Sequence, residues 1–288
     1  MGITSLRKKL AGLARGDVLE VSIGTGRNLE FYDFCFGSGG HGTAKGQEVL
    51  GGLAGRIDGN GKWRGKGEGV RSFTAVDKSP EMLEVAHEKF AAKFPGILGV
   101  RWIIADASLP DSIPGPPRNA NERSGNREGG YDTIIQTMGL CSVADPVALL
   151  RNLGRCVKEG EGRILLLEHG RGRYEWLNGV LDKSAEGHAR EFGCWWNRDI
   201  GHIVEESGLE IVEVRRPKWW HGGTTWWVEL KKPQSPTVAE TVKETVVKVE
   251  DKVKETAGVA TAKGGLEKNT PAIEEEEPKK MIKKKGWW

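Results

Sequence analysis

The chain has 288 residues, 38% of them hydrophobic, and its cations outnumber its acids by three. That material suffices for one core of roughly 200 residues with a tail to spare, and the near balance of charge argues against a nucleic-acid binder. No apolar run reaches the roughly 20 residues of a membrane helix, and "MGITSLRKKLAGLARG" is too short and weakly apolar for a signal peptide, so the chain reads as soluble and intracellular.

The first predicted strand is "DVLEVSI" (17–23), which runs into a glycine turn, "GTGRNLEF". Gly24 and Gly26 leave bare backbone there for a ligand to approach. A dinucleotide fingerprint would require a third glycine where Leu29 stands. Glu20, inside the strand, is expected to face the cleft, where it disfavours a phosphate and favours a cationic ligand. Residues 37–69 carry glycine at more than a third of positions with no apolar period, so they are expected to form a flexible insertion. "SFTAVD" (72–77) is the second strand; "SPEMLEVAHEKFAAKF" is a helix capped by Ser79 with Pro80 at its first position. "VRWIIAD" (100–106) is the third strand, followed by a second polar insertion over 110–130. "YDTIIQT" (131–137) and "GRILLLEH" (162–169) are the fourth and fifth strands. Between them lies a helix opened by Asp145 and Pro146, with Gly160 as its expected stop.

Strands apolar on both faces and alternating with helices imply a doubly wound, mostly parallel sheet. "LEIVEVRR" and "TTWWVELKK" have no helix between them and are read as a C-terminal antiparallel hairpin, which completes seven strands. In such a sheet the ligand lies beyond the carboxyl ends of the strands, at the switch point beside the first. Asp77 ends the second strand, where it can accept from both hydroxyls of a ribose. Asp106 ends the third, placed to accept from an adenine amino group, with Met82 and Ile104 as apolar flanks.

At these residues the chain resembles the class I S-adenosylmethionine-dependent methyltransferases, with a Rossmann-like fold, over about residues 15–230. "EVSIGTG" looks like the family's glycine motif, with Ser22 where the family commonly has glycine; "AVDKSPEML" looks like its ribose-binding acid and "ADA" like its adenine contact. The resemblance implies cofactor contacts from Glu20, Gly24, Thr25, Gly26, Asn28, Asp77, Lys78, Met82, Asp106, Ala107 and Gln136. "GLCSV", "LLLEHG" and "GCWWNRDI" are similar to animal thiol methyltransferase-like proteins and, more closely, to fungal mitochondrial proteins isolated as suppressors of oxidase-assembly defects. That likeness implies a mitochondrial location. The fungal proteins usually carry an N-terminal anchor; no transit peptide or anchor is read here, which leaves a truncated chain or a soluble relative.

In-line methyl transfer requires no catalytic side chain, but Glu168 and His169 at the fifth strand's end are the best placed general bases for a thiol or hydroxyl acceptor. His169 has a competing structural role in holding the following loop. After the fifth strand, "GRGRYEWLNGVLDKSAEGHAREFGCWWNRDI" is expected to form a lid over a small, apolar acceptor, with Trp176, Trp195 and Trp196 facing it and Asn197 capping the next helix. The tryptophan pairs at 195–196, 219–220 and 226–227 serve either this wall or hairpin packing.

Cys35, Cys141, Cys156 and Cys194 are scattered without a CxxC, so neither a disulfide framework nor a metal site is expected. The methyltransferase domain is set at 1–232 and a mostly disordered charged tail at 233–288. A valine stripe from Val238 to Val253 and the terminal "KKMIKKKGWW" leave open a partner-binding or membrane-surface helix within it. Two other functions remain at this point: a catalytically inactive assembly factor and a nicotinamide-dependent oxidoreductase.

Overall fold

A computed structural model describes residues 2–34, 69–95, 97, 99–117, 129–217 and 221–233. The glycine-rich insertion except Gly69, the middle of the polar insertion (118–128), Trp219, Trp220 and the charged tail beyond Pro233 lie outside the described residues.

The strands are β1 (Gly16–Val21), β2 (Val70–Asp77), β3 (Arg101–Ile104), β4 (Thr133–Thr137), β5 (Arg163–His169), β6 (Glu210–Arg215) and β7 (Thr225–Lys231). They form one sheet in the order β3-β2-β1-β4-β5-β7-β6. The first five run parallel, and β7 lies antiparallel between β5 and β6. Chain order reverses between β1 and β4, so their tips flank the switch point.

Alternation along each strand sends neighbours to opposite faces. Leu19, Val21, Ile134, Leu166 and Trp226 enter one core, whereas Val18, Ile135, Leu165 and Trp227 enter the other. Helices α1 (Ile3–Ala11) and α2 (Pro80–Lys93) cover the second core through Leu6, Leu10, Leu83 and Phe90. Helices α3 (Pro146–Cys156) and α5 (Ile200–Ser207) cover the first through Leu149, Leu153, Ile200 and Val204. Each fully buried aliphatic side chain contributes about 1.5–3 kcal/mol, which makes this double-sided burial the main support of the sheet. Helix α4 (Glu175–Phe192) is different: only Asn178 and Ala185 are buried along it.

Ser79 accepts from the Met82 amide and Asp145 from the Ala148 amide, each cap worth about 1 kcal/mol. Two local expectations need correction. Helix α3 ends at Cys156 because Val157 leaves it to bridge Tyr131; Gly160 serves the following turn, at φ 78°. Helix α5 is capped by Asp199, whose carboxylate accepts from His202 N, while Asn197 donates to Asp182 instead. After the glycine turn comes one 3-10 turn, Leu29–Phe31.

Candidate functional site

The tip of β1 turns through left-handed backbone at Ser22 (φ 53°), Gly24 (φ 54°) and Gly26 (φ 67°). A Cβ on Gly24 would meet nothing within 4 Å, so that backbone is open to a ligand. Gly26 differs from its expected role: a Cβ there would lie 2.4 Å from Leu29 Cδ1 and 3.2 Å from Ala86 Cβ. It is glycine so that the turn can pack on α2, and Leu29 fills the space beneath it.

Asp77 ties the second strand tip to the first. Its Oδ2 accepts from Gly24 N at 2.8 Å and its Oδ1 from Ser79 N at 3.0 Å. Each oxygen retains a further lone pair. Asp106 accepts from Lys78 Nζ at 2.9 Å and from Ser108; the Ser108 contact first, then Lys78, holds its carboxyl below the usual range. Asp77, Lys78 and Asp106 thus form a linked charged row at the ends of β2 and β3. Met82 (45% exposed) and Ile104 (62%) stand as open apolar groups near it in sequence. Ala107 is buried, and its carbonyl accepts from Asn152. The Thr25 carbonyl accepts from Lys89.

Glu20 and Asn28 do not face a cleft. Glu20 is 2% exposed; Asn28 Nδ2 donates to its Oε1 at 2.7 Å and Tyr32 Oη to its Oε2 at 2.8 Å. Arg7 of α1 donates to Asn28 Oδ1 and Thr137 Oγ1, closing an internal network beneath the glycine turn. The reason is position: β1 is central, and α1 covers the face on which Glu20 emerges. Burial pushes the Glu20 carboxyl up to about 7 against the Tyr32 and Asn28 bonds, and burial also lowers the Arg7 guanidinium. Beside the turn a cavity of about 560 Å3 is lined by Arg7, Gly26, Arg27, Lys89 and Met138, among others. Asp77 and Asp106 are not in its walls.

At the other side of the switch point, Gln136 is fully buried. Its Nε2 lies 3.5 Å from Ser22 Oγ, and its Oε1 has no partner among the described residues. Gly139 completes this contact, since a Cβ there would fall 2.5 Å from Gln136 Nε2 and 2.9 Å from Ser22 Cβ. Glu168 points into the protein, fully buried, and its two oxygens accept from Gly139 N and Leu140 N at 3.1 and 3.2 Å. Burial, with Cys141 nearby, pushes it up to about 8. Its geometry holds the turn after β4 rather than reaching an acceptor.

His169, on the opposite face, meets two cysteines. Its Nε2 lies 3.1 Å from Cys194 Sγ, and the ligand atoms of Cys141, His169 and Cys194 all lie within 4.8 Å of one another. The bond with Cys194, then burial, pushes the Cys141 thiol up to about 12, and the same bond lowers Cys194. For His169, burial opposes the charge, but Cys141 and Glu168 outweigh it and raise the imidazole. The expectation of no metal-type cluster rested on spacing along the chain, which does not register residues brought together by the ends of β4, β5 and α4.

The segment after β5 leaves and returns at tied points: Arg171 N donates to Arg198 O, and Trp195 N to Cys141 O. Trp176 (71% exposed) and Trp195 (43%) stand outward on it, whereas Trp196 stacks on His188 at 3.9 Å and donates to Leu181 O. Trp226 and Trp227 belong to the two cores, each covered by an arginine.

Sequence reasoning missed Arg7, Tyr32 and the Cys–His cluster. For Arg7 one signal was present: it stands one turn before Leu10 and next to Leu6, at the edge of the apolar stripe of a short amphipathic stretch.

A family profile described as a methyltransferase domain matches residues 3–214. The chain is 37% identical over 228 residues to "Methyltransferase OMS1, mitochondrial" of Saccharomyces cerevisiae, covering 78% of this chain and 40% of that protein. The chain thus spans well under half the length of that curated relative. Among solved structures, a candidate methyltransferase from Bacillus halodurans C-125 shares the fold with a TM-score of 0.50 at 12% identity, over 80% of this chain and 99% of that one.

Proposed function

The chain belongs to the methyltransferase-domain family, and on that premise we propose that it transfers the methyl group of S-adenosylmethionine to a small acceptor with an apolar part. The observation that carries the reading is the Asp77 carboxylate, 2.8 Å from the amide of a Gly24 whose outer side is bare. The residues fit the cofactor: the free lone pairs of Asp77 suit a ribose diol, and the orphaned Gln136 Oε1 suits an ammonium or hydroxyl donor. Asp106 with its flanking Ile104 suits an adenine edge and face. Arg7 and Arg27 in the cavity wall offer partners to a carboxylate.

When bound, S-adenosylmethionine supplies an electrophilic methyl on a sulfonium. The chain's own share is orientation and exclusion of water, which together are able to supply about 7–11 kcal/mol of a bimolecular barrier. Asp77 fixes the ribose end by joining two strand tips. Glu168 fixes the 139–140 turn, and through it the Gly139 approach to Ser22. His169 is engaged by Cys194, so an acceptor that arrives ionised or is a good neutral nucleophile suits the site better than one needing a strong base. The exposed Trp176 and Trp195 favour an acceptor with a flat or apolar surface. A mitochondrial site of action is part of the proposal, supported by the yeast relative's name.

Calorimetric titration with S-adenosylhomocysteine tests it: the wild type should bind, and Asp77→Ala should lose binding. No heat from the folded wild type ends the reading. Binding without turnover on thiol, phenol and quinol acceptors assigns the chain to a non-catalytic scaffold instead.

A further inference from the structure

We propose that Cys141, His169 and Cys194 form a binding site for one zinc-class divalent ion, with three protein ligands and a fourth position left open. Two sulfurs and one imidazole nitrogen are the donor set that zinc takes in preference to magnesium or calcium, which seek oxygen. A tetrahedral site with bonds of about 2.3 Å to sulfur and 2.0–2.1 Å to nitrogen sets its ligand atoms about 3.5–3.8 Å apart. Here the three atoms already lie within 4.8 Å of one another, one pair at 3.1 Å, so side-chain adjustment alone is enough to close the site.

The surroundings are built to keep the ligands together. Cys141 follows β4, His169 ends β5 and Cys194 follows α4, three segments that share no local sequence motif. The Cys194 segment is fastened to the Cys141 segment by a bond that does not involve the ligand side chains. Trp195 N donates to Cys141 O at 2.9 Å, and the His188 Nδ1 sits 2.8 Å from Cys194 O. Glu168 clamps the two amides just before Cys141. Cys141 is 2% exposed and Cys194 8%, so the sulfurs are shielded, while His169 is half-buried and marks the accessible side.

Among the described residues no fourth cysteine, histidine or carboxylate joins the cluster. Three-ligand zinc sites with an open position are characteristic of catalytic rather than structural zinc. This one lies at the carboxyl ends of β4 and β5, on the ligand side of the sheet. On binding, the two thiols release their protons to solvent, and the dithiolate balances the dication. The site does not depend on methyl transfer.

The test uses the full chain, reduced, loaded with zinc and dialysed, with metal content read by mass spectrometry. About one equivalent of zinc should remain. Cys141→Ser and Cys194→Ser should each weaken retention at least tenfold, and Cys156→Ser, half-buried and outside the cluster, should match the wild type. Cobalt in place of zinc should give the near-ultraviolet absorption of thiolate-to-metal charge transfer in the wild type and weaken it in either cluster variant. Zinc retained equally by folded Cys141→Ser and Cys194→Ser overturns the proposal. So does a folded, reduced wild type that takes up no zinc, whether or not air exposure then joins Cys141 to Cys194.

Discussion

Replacing Glu20 by glutamine should remove one proton from the pH dependence of stability. The carboxyl is 2% exposed, and burial pushes it up to about 7 from an ordinary 4.5. Between those values the folded chain keeps a proton that the unfolded chain has released. Stability therefore falls as pH rises, by up to about 1.4 kcal/mol per unit, with the loss complete just above the folded value. Over the whole window the cost is about 3 kcal/mol. Glutamine keeps an acceptor for Asn28, and its amide faces the Tyr32 oxygen, so it mimics the protonated acid without titrating. Urea unfolding of wild type and Glu20→Gln, from about pH 4.5 to 8, should show the difference in free energy moving toward the variant by about that amount. Other titrating groups are common to both proteins and cancel. Parallel profiles for the two proteins would refute the buried-carboxylate argument.

Three further perturbations address the same strand tips. Gly139→Ala sets a methyl group into Gln136 and Ser22 and should cost about 1–3 kcal/mol in thermal or urea unfolding, while weakening S-adenosylhomocysteine in calorimetry. Ser22→Gly relieves a left-handed serine, worth about 1–2 kcal/mol, but costs about 0.5–1 in glycine entropy and about 1–3 by taking the Oγ partner from the buried Gln136 Nε2; unfolding should show a net loss of about 1 kcal/mol, with S-adenosylhomocysteine bound more weakly. Arg7→Ala removes two hydrogen bonds from the internal network but leaves Asn28 and Thr137 bonded to each other, so a loss of about 1–3 kcal/mol is expected, measured by urea unfolding.

The sheet was legible because its evidence is local: β-rich runs, apolar on both faces, ending in acids and separated by capped helices. Asp77 was legible for the same reason, since a strand end can be read without knowing its neighbours. Helix α1 was not, because its lysines dilute the apolar stripe and only Leu6, Leu10 and Ala11 are buried. The inward turn of Glu20 depends on Arg7, Tyr32 and Thr137, which arrive from three different segments. Asn197 and Asp199 are both good capping residues, and which one caps is decided by Asp182, fifteen residues before Asn197. Cys141 and Cys194 are 53 positions apart, and only the fold makes them neighbours.

The excursion between β5 and α5 departs and rejoins at pinned points, so its outward side chains between Tyr174 and Phe192 can be exchanged with little disturbance to the strand tips behind it, provided Asn178, Asp182 and His188 keep their bonds to Gly172, Asn197 and Cys194. Its helix buries just two residues, which leaves its outer face free to drift in composition. On the function proposed above, selectivity for the acceptor is thereby uncoupled from the grip on the donor, and exchanging that outer face for a relative's would be expected to change what is modified while the donor is still held.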